Sequence, residues 1–102
     1  MRVPLIWDDA KRQANWRKHG LDFADAGEVL ESRYRLDVQE WREGELRVLS
    51  ISYALGFLAV LTVVHTDRDG MARVISFRRA SREWRPTIIL SAALTQRNCY
   101  PC

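Results

Sequence analysis

The run Phe57 to Thr66, FLAVLTVVHT, constrains this chain more than any other stretch. It is nearly all apolar and rich in β-branched residues, the pattern of a strand buried on both faces. Such a strand needs a partner on each edge, and the flanking sequence offers both. LRVLSISY (46–53) precedes it, and ARVISFRR (72–79) follows it with alternating character. YRLDVQEW (34–41) alternates as well: Tyr34, Leu36 and Val38 against Arg35, Asp37 and Gln39. Arg42-Glu43-Gly44, Ala54-Leu55-Gly56 and Asp67-Arg68-Asp69-Gly70 are the turn signals between these runs. Links this short favour an antiparallel meander of about four strands. Strict alternation in the last strand puts Ala72, Val74, Ser76 and Arg78 on one face, and Arg73, Ile75, Phe77 and Arg79 on the other.

Before residue 33 the period is helical. VPLIW (3–7) suits a short edge strand, since Pro4 cannot donate to a ladder. Asp8 is placed to cap a helix over DAKRQANWRKH, with Asp9 at its positive end. Lys18 and His19 fill the last turn, and Gly20 is the usual stop. Its apolar face is thin, mainly Ala10 and Ala14. Lys11, Asn15, Lys18 and His19, at i, i+4, i+7 and i+8, share a polar face. Asp22 caps a second helix, with Phe23, Ala26, Gly27 and Leu30 as its apolar stripe. After the strands, Ser81 is a plausible helix start that Pro86 soon interrupts. TIILSAALTQ fits helix or strand equally. The expected class is α+β: two N-terminal helices packed on a curved β-meander, then a short C-terminal helix. One domain spans residues 1–85, with a tail over 86–102.

Length and composition fit that reading. A chain of 102 residues, 47% hydrophobic and 28% charged, is an ordinary globule with a modest core. Its net charge of +3 is compatible with a polyanionic partner without requiring one. Cys99 and Cys102 have C-x-x-C spacing but no second ligand pair, so they read as an incidental tail. No long apolar run opens the chain, so a cytoplasmic location is expected. Residues 48–66 lack formal charge and approach membrane-spanning length, but the β-branched content and Gly56 favour two strands.

Three features carry possible chemistry. The helical face of Lys11, Asn15, Lys18 and His19 is one, although lysine and histidine at a helix C-terminus are explained by the macrodipole alone. His65, near the end of the central strand, reads more simply as a satisfied core residue. RRASREWR supplies Arg78, Arg79, Arg82 and Arg85, and guanidinium forks match phosphate oxygens in pairs. A solvated basic face is the plain alternative. No metal-ligand spacing, glycine-rich phosphate loop or nucleophile elbow is visible.

IWDDAKRQANWRKHGLDFADA resembles the N-terminal signature of BrnT-type toxins. The resemblance is carried by Trp7, Asp8, Lys11, Asn15, Lys18, His19, Gly20, Phe23 and Ala26. GELRVLSI, LAVLTVVHTDR and RVISFRRASREW are similar to that family's strands and its Ile-Ser-x-Arg-x-Ala signature, so the likeness runs from residue 5 to about 84. It implies a RelE-like fold and a toxin of a type II toxin–antitoxin pair that cuts RNA and stops translation. It also implies a BrnA-type antitoxin, a toxin–antitoxin hetero-oligomer, and operator DNA bound only through the antitoxin. On this resemblance Arg78 and Lys11 meet the scissile phosphate, and His19 or Glu83 moves protons. Arg47 joins them if its face points inward, while Lys18, Arg79 and Arg82 hold RNA. No cofactor and no metal is expected, because RNA brings its own 2′-hydroxyl nucleophile. The chain departs from the family at Arg85-Pro86, where family members continue in a charged helix. A non-catalytic module that docks the antitoxin and tunes DNA binding is the alternative.

Overall fold

The central strand is where the apolar run places it. In the computed structural model, which describes residues 4–54 and 56–80, it is β4 (Ala59–Arg68), buried without interruption from Val60 to Thr66. β2 (Leu36–Arg42), β3 (Glu45–Ala54), β4 and β5 (Met71–Arg79) form the expected antiparallel meander. Glu43-Gly44 and Asp69-Gly70 turn it with positive φ at both residues of each pair, the geometry of tight primed hairpins.

The sheet has five strands, not four. β1 (Leu5–Trp7) pairs parallel with β5, Leu5 opposite Ala72 and Trp7 opposite Val74, so the order is β1-β5-β4-β3-β2 and the sheet is mixed. Parallel pairing joins residues far apart in sequence and carries no local turn signal, so the meander pattern does not reveal it.

The two helices are also not the expected pair. After α1 (Asp9–His19), the chain makes a 3-10 turn (Phe23–Asp25) and only one turn of helix, α2 (Gly27–Leu30). Asp22 caps the 3-10 turn through the Ala24 N–H. Leu21, Phe23, Ala26, Val29 and Leu30 pack on Leu61, Val63, Ala72, Val74 and Phe77 to make the main core. On the opposite face, Ile51, Val60 and Ala80 form a smaller cluster with Leu36 and Val38.

Strict alternation fails at one place in β5. Val64 opposes Ser76 but His65 opposes Val74, so Ile75 is an extra residue, a β-bulge. The bulge reverses the parity beyond it. Phe77 therefore joins Ala72 and Val74 in the main core, contrary to the expected face, and meets Phe57 edge-on at 6.2 Å between ring centroids.

No helix among the described residues is long and apolar enough to cross a membrane, and residues 48–66 fall in β3, β4 and the link between them. The expected C-terminal helix, the tail from residue 86, and the candidates Arg82, Glu83 and Arg85 lie outside the described residues.

Candidate active site

The site begins with the way α1 is attached. Ala10 and Ala14, expected to face inward, are exposed, and the only buried residue of the helix is Asn15, 7% exposed. β1 ends at Trp7, opposite Val74, which leaves the edge of β5 unpaired further on. Asn15 fills that gap. Its Nδ2 donates to the Phe77 carbonyl (2.8 Å), and its Oδ1 accepts from the Phe77 N–H (3.1 Å). The amide thus does for Phe77 what a neighbouring strand would do. The second Nδ2 hydrogen goes to the Leu21 carbonyl (3.0 Å), tying down the link after the helix.

Both helix ends are as expected. Asp8 accepts from the Ala10 and Lys11 N–H groups. Gly20 takes the left-handed conformation (φ 68°) and donates to the Trp16 carbonyl. Arg12 holds the second turn to the chain beyond: Nε and Nη2 grip both oxygens of Asp22 at 2.8 and 2.9 Å, and its guanidinium lies over the Trp7 ring. The Arg12 bonds, then the Ala24 N–H, lower the Asp22 carboxyl to a pKa of about 2.

With Asn15 pinned to Phe77, the C-terminal turn of α1 lies beside the end of β5. His19 is half-buried there, between exposed Lys18 and exposed Arg78. Burial first, then the charges of Lys18 and Arg78, lower its proton affinity below that of an ordinary imidazole. The structure therefore joins three of the sequence candidates, Lys18, His19 and Arg78. A partly desolvated imidazole that resists protonation, beside an accessible guanidinium, can accept a proton next to a bound anion.

The other candidates are dispersed. Lys11 is exposed two turns before His19, about 12 Å along the axis. Arg79 opposes Leu61 and Arg78 opposes Thr62, so the two arginines leave opposite faces of the sheet. Arg47 shares the Arg78 face, but it lies four residues along β3 from Ile51, the residue in register with Thr62 and Arg78. That is about 13 Å of strand. It meets Glu45 at 3.9 Å and keeps a buried Nε with no hydrogen-bond partner. Sequence reasoning had Asn15 on the correct helical face but gave it no role. Its signal was a polar residue in the middle of a face otherwise made of cations.

His65 belongs to a separate network. It is 1% exposed, with Nε2 at 2.7 Å from Ser50 Oγ and Nδ1 at 2.6 Å from Asp67. Ser50 also bonds Asp37 (2.7 Å), which Arg35 grips in turn. A serine, histidine and aspartate stand in line here, but Ser50 is fully buried and cannot meet a substrate. The network is structural, as a satisfied core histidine should be. Among the described residues, no three His, Cys, Asp or Glu side chains gather as metal ligands would.

No curated protein matches the chain. Residues 7–83 match the family described as ribonuclease toxin, BrnT, of type II toxin-antitoxin system. The matched span holds the α1 face, Asn15 and Arg78, along with the other residues given an RNA role on the resemblance, though not Arg85. The match covers most of the chain, and the chain therefore belongs to the BrnT family of ribonuclease toxins of type II toxin–antitoxin systems.

Proposed function

We propose that the protein cleaves RNA without a metal ion, by attack of the 2′-hydroxyl on the adjacent phosphate at the junction of α1 and β5. The observation that carries this reading is the placement of half-buried His19, at the end of α1, beside Lys18 and Arg78 at the end of β5, where burial and the two cations disfavour the protonated imidazole. A neutral imidazole in a cationic setting suits a general base for an anionic substrate. His19 takes the 2′-hydroxyl proton. The 2′-oxygen bonds to phosphorus, and the P–O5′ bond breaks. The Arg78 guanidinium carries the charge of the phosphorane between these events. The departing 5′-oxygen gains a proton from Glu83 or from water. The products are a 2′,3′-cyclic phosphate and a 5′-hydroxyl.

Lys18 serves a neighbouring phosphate, together with Arg82, while Arg79, on the other face of β5, serves RNA that passes around the strand end. Lys11, two turns from His19, fits a flanking phosphate better than the scissile one. Arg47 is the weakest member, because its strand position separates it from Arg78. A BrnA-type antitoxin neutralises the toxin in a cytoplasmic hetero-oligomer, and operator DNA is contacted only through that antitoxin.

The test is an RNA cleavage assay in EDTA with pure, antitoxin-free protein. Cleavage lost in Arg78→Ala and in His19→Ala is the expected result. No cleavage by the wild type, beside an active homologue, rejects the reading and leaves an antitoxin-binding co-repressor. Full activity in Arg78→Ala rejects that assignment alone.

A further inference from the structure

On the far flank of α1 from Lys11 and Lys18, a groove of about 390 Å³ is lined by Asp9, Arg12, Gln13, Trp16, Arg17 and Asp22. We propose that Trp16 is a base-stacking platform, and that this groove receives one unpaired nucleobase of the RNA next to the scissile phosphate. This inference rests on the ribonuclease reading of the His19 site.

Trp16 is 57% exposed, although it is the largest side chain of the helix. It precedes His19 by three residues, so the two are neighbours on the helix surface, with Trp16 about 60° further round. Asn15 faces β5, His19 lies just to one side of it, and Lys11 and Lys18 lie to the other. A strand crossing the end of α1 at His19 then has its phosphates over the lysines and a base on the side of Trp16.

The remaining groove residues suit a base. Arg12 is held flat by Asp22 and by the Trp7 ring, so that wall is rigid before anything binds. The Gln13 amide and the Asp9 carboxylate offer a donor pair and acceptors for base edges. Arg17 adds a cation at the groove mouth. Among the six described lining residues Trp16 alone is apolar, which suits a π-face with a polar edge better than an apolar protein segment.

Two measurements test the proposal on the antitoxin-free protein. The probe is a fluorescein-labelled RNA octamer with 2′-methoxy riboses, which binds but cannot be cut, compared with the same octamer carrying abasic positions. Trp16→Ala should weaken binding of the first about tenfold. It should not change binding of the abasic probe, and Trp16→Phe should restore most of the loss. Trp41→Ala is the control, since Trp41 is also an exposed tryptophan but sits on β2, the strand at the other end of the sheet order. Equal binding of both probes by wild type and Trp16→Ala, in a preparation that still cleaves RNA, overturns the stacking role and leaves the ribonuclease reading intact. Weakened antitoxin binding with unchanged RNA binding in Trp16→Ala overturns it in favour of a protein-docking face. Absence of RNA cleavage by the wild type removes the parent reading and this proposal together.

Discussion

Replacing Asn15 with alanine removes three hydrogen bonds at once. The groups left behind are the Phe77 N–H, the Phe77 carbonyl and the Leu21 carbonyl, all buried by the helix that the amide holds. A buried backbone group without a partner costs about 1–3 kcal/mol, and water entering the space left by the amide recovers part of that. The expected loss is about 2–4 kcal/mol. For a domain of this size that corresponds to a fall in Tm of about 10 °C or more. Urea denaturation followed by circular dichroism measures it, with the slope m unchanged so that the shift reports stability. Two further substitutions separate hydrogen bonding from packing. Asn15→Leu refills the space and still leaves three polar groups unpaired, so it should lose as much as alanine. Asn15→Asp keeps the shape but places a carboxylate against two carbonyl oxygens. That raises its folded pKa above the unfolded value, so this variant should gain stability relative to wild type as pH falls. Loss of less than about 0.5 kcal/mol in both Asn15→Ala and Asn15→Leu would refute the claim that Asn15 serves as the missing strand.

Four further outcomes follow from the same geometry. The His19 imidazole should titrate below its ordinary range by NMR, and Arg78→Ala should move it back upward because one of the opposing cations is gone; an unchanged midpoint would separate the two residues. Asp22 is lowered from 3.8 to about 2, so its contribution is complete above the unfolded value and is lost as pH falls through about 2. Asp22→Asn should remove that part of the acid dependence, read from denaturation midpoints between those limits. His65→Phe removes two hydrogen bonds, but Ser50 keeps Asp37 and Asp67 is open to water, so it should cost only about 1–2 kcal/mol in urea denaturation. Gly20→Ala, at φ 68°, should cost about 1 kcal/mol, with the loss confined to helix stability and no new contact made.

The legible parts of the fold were those with local signals. The all-apolar run, the alternating neighbours and the Glu43-Gly44 and Asp69-Gly70 turns were enough to place four strands in order. Asp8 and Gly20 marked both ends of α1. What escaped was non-local. β1 pairs with β5 across most of the chain, and only the folded sheet shows it. The bulge at Ile75 inserts one residue with no glycine or proline to mark it, and every face assignment after it reverses. The apolar stripe of α1 was misread because the helix docks through one amide on an open strand edge, and hydrophobic periodicity cannot report such an interface. At the candidate site, the sequence placed Lys18 and His19 on one helical face and Arg78 in a separate basic cluster; that α1 ends beside the end of β5, bringing Arg78 to them, shows only in the fold. Arg47 was added on the family resemblance, provided that its face points inward, and its distance along β3 could be known only from register.

The chemistry of the RNA ends tests the central claim most directly. The protein is incubated in EDTA with an RNA and with the same RNA carrying a 2′-deoxyribose at the mapped cleavage position. Attack by the 2′-hydroxyl predicts a 2′,3′-cyclic phosphate and a 5′-hydroxyl from the first, and no cut at that position in the second. A 5′-phosphate with a 3′-hydroxyl, or equal cutting of the deoxy-substituted strand, would contradict His19 as the base and Arg78 as the phosphorane partner.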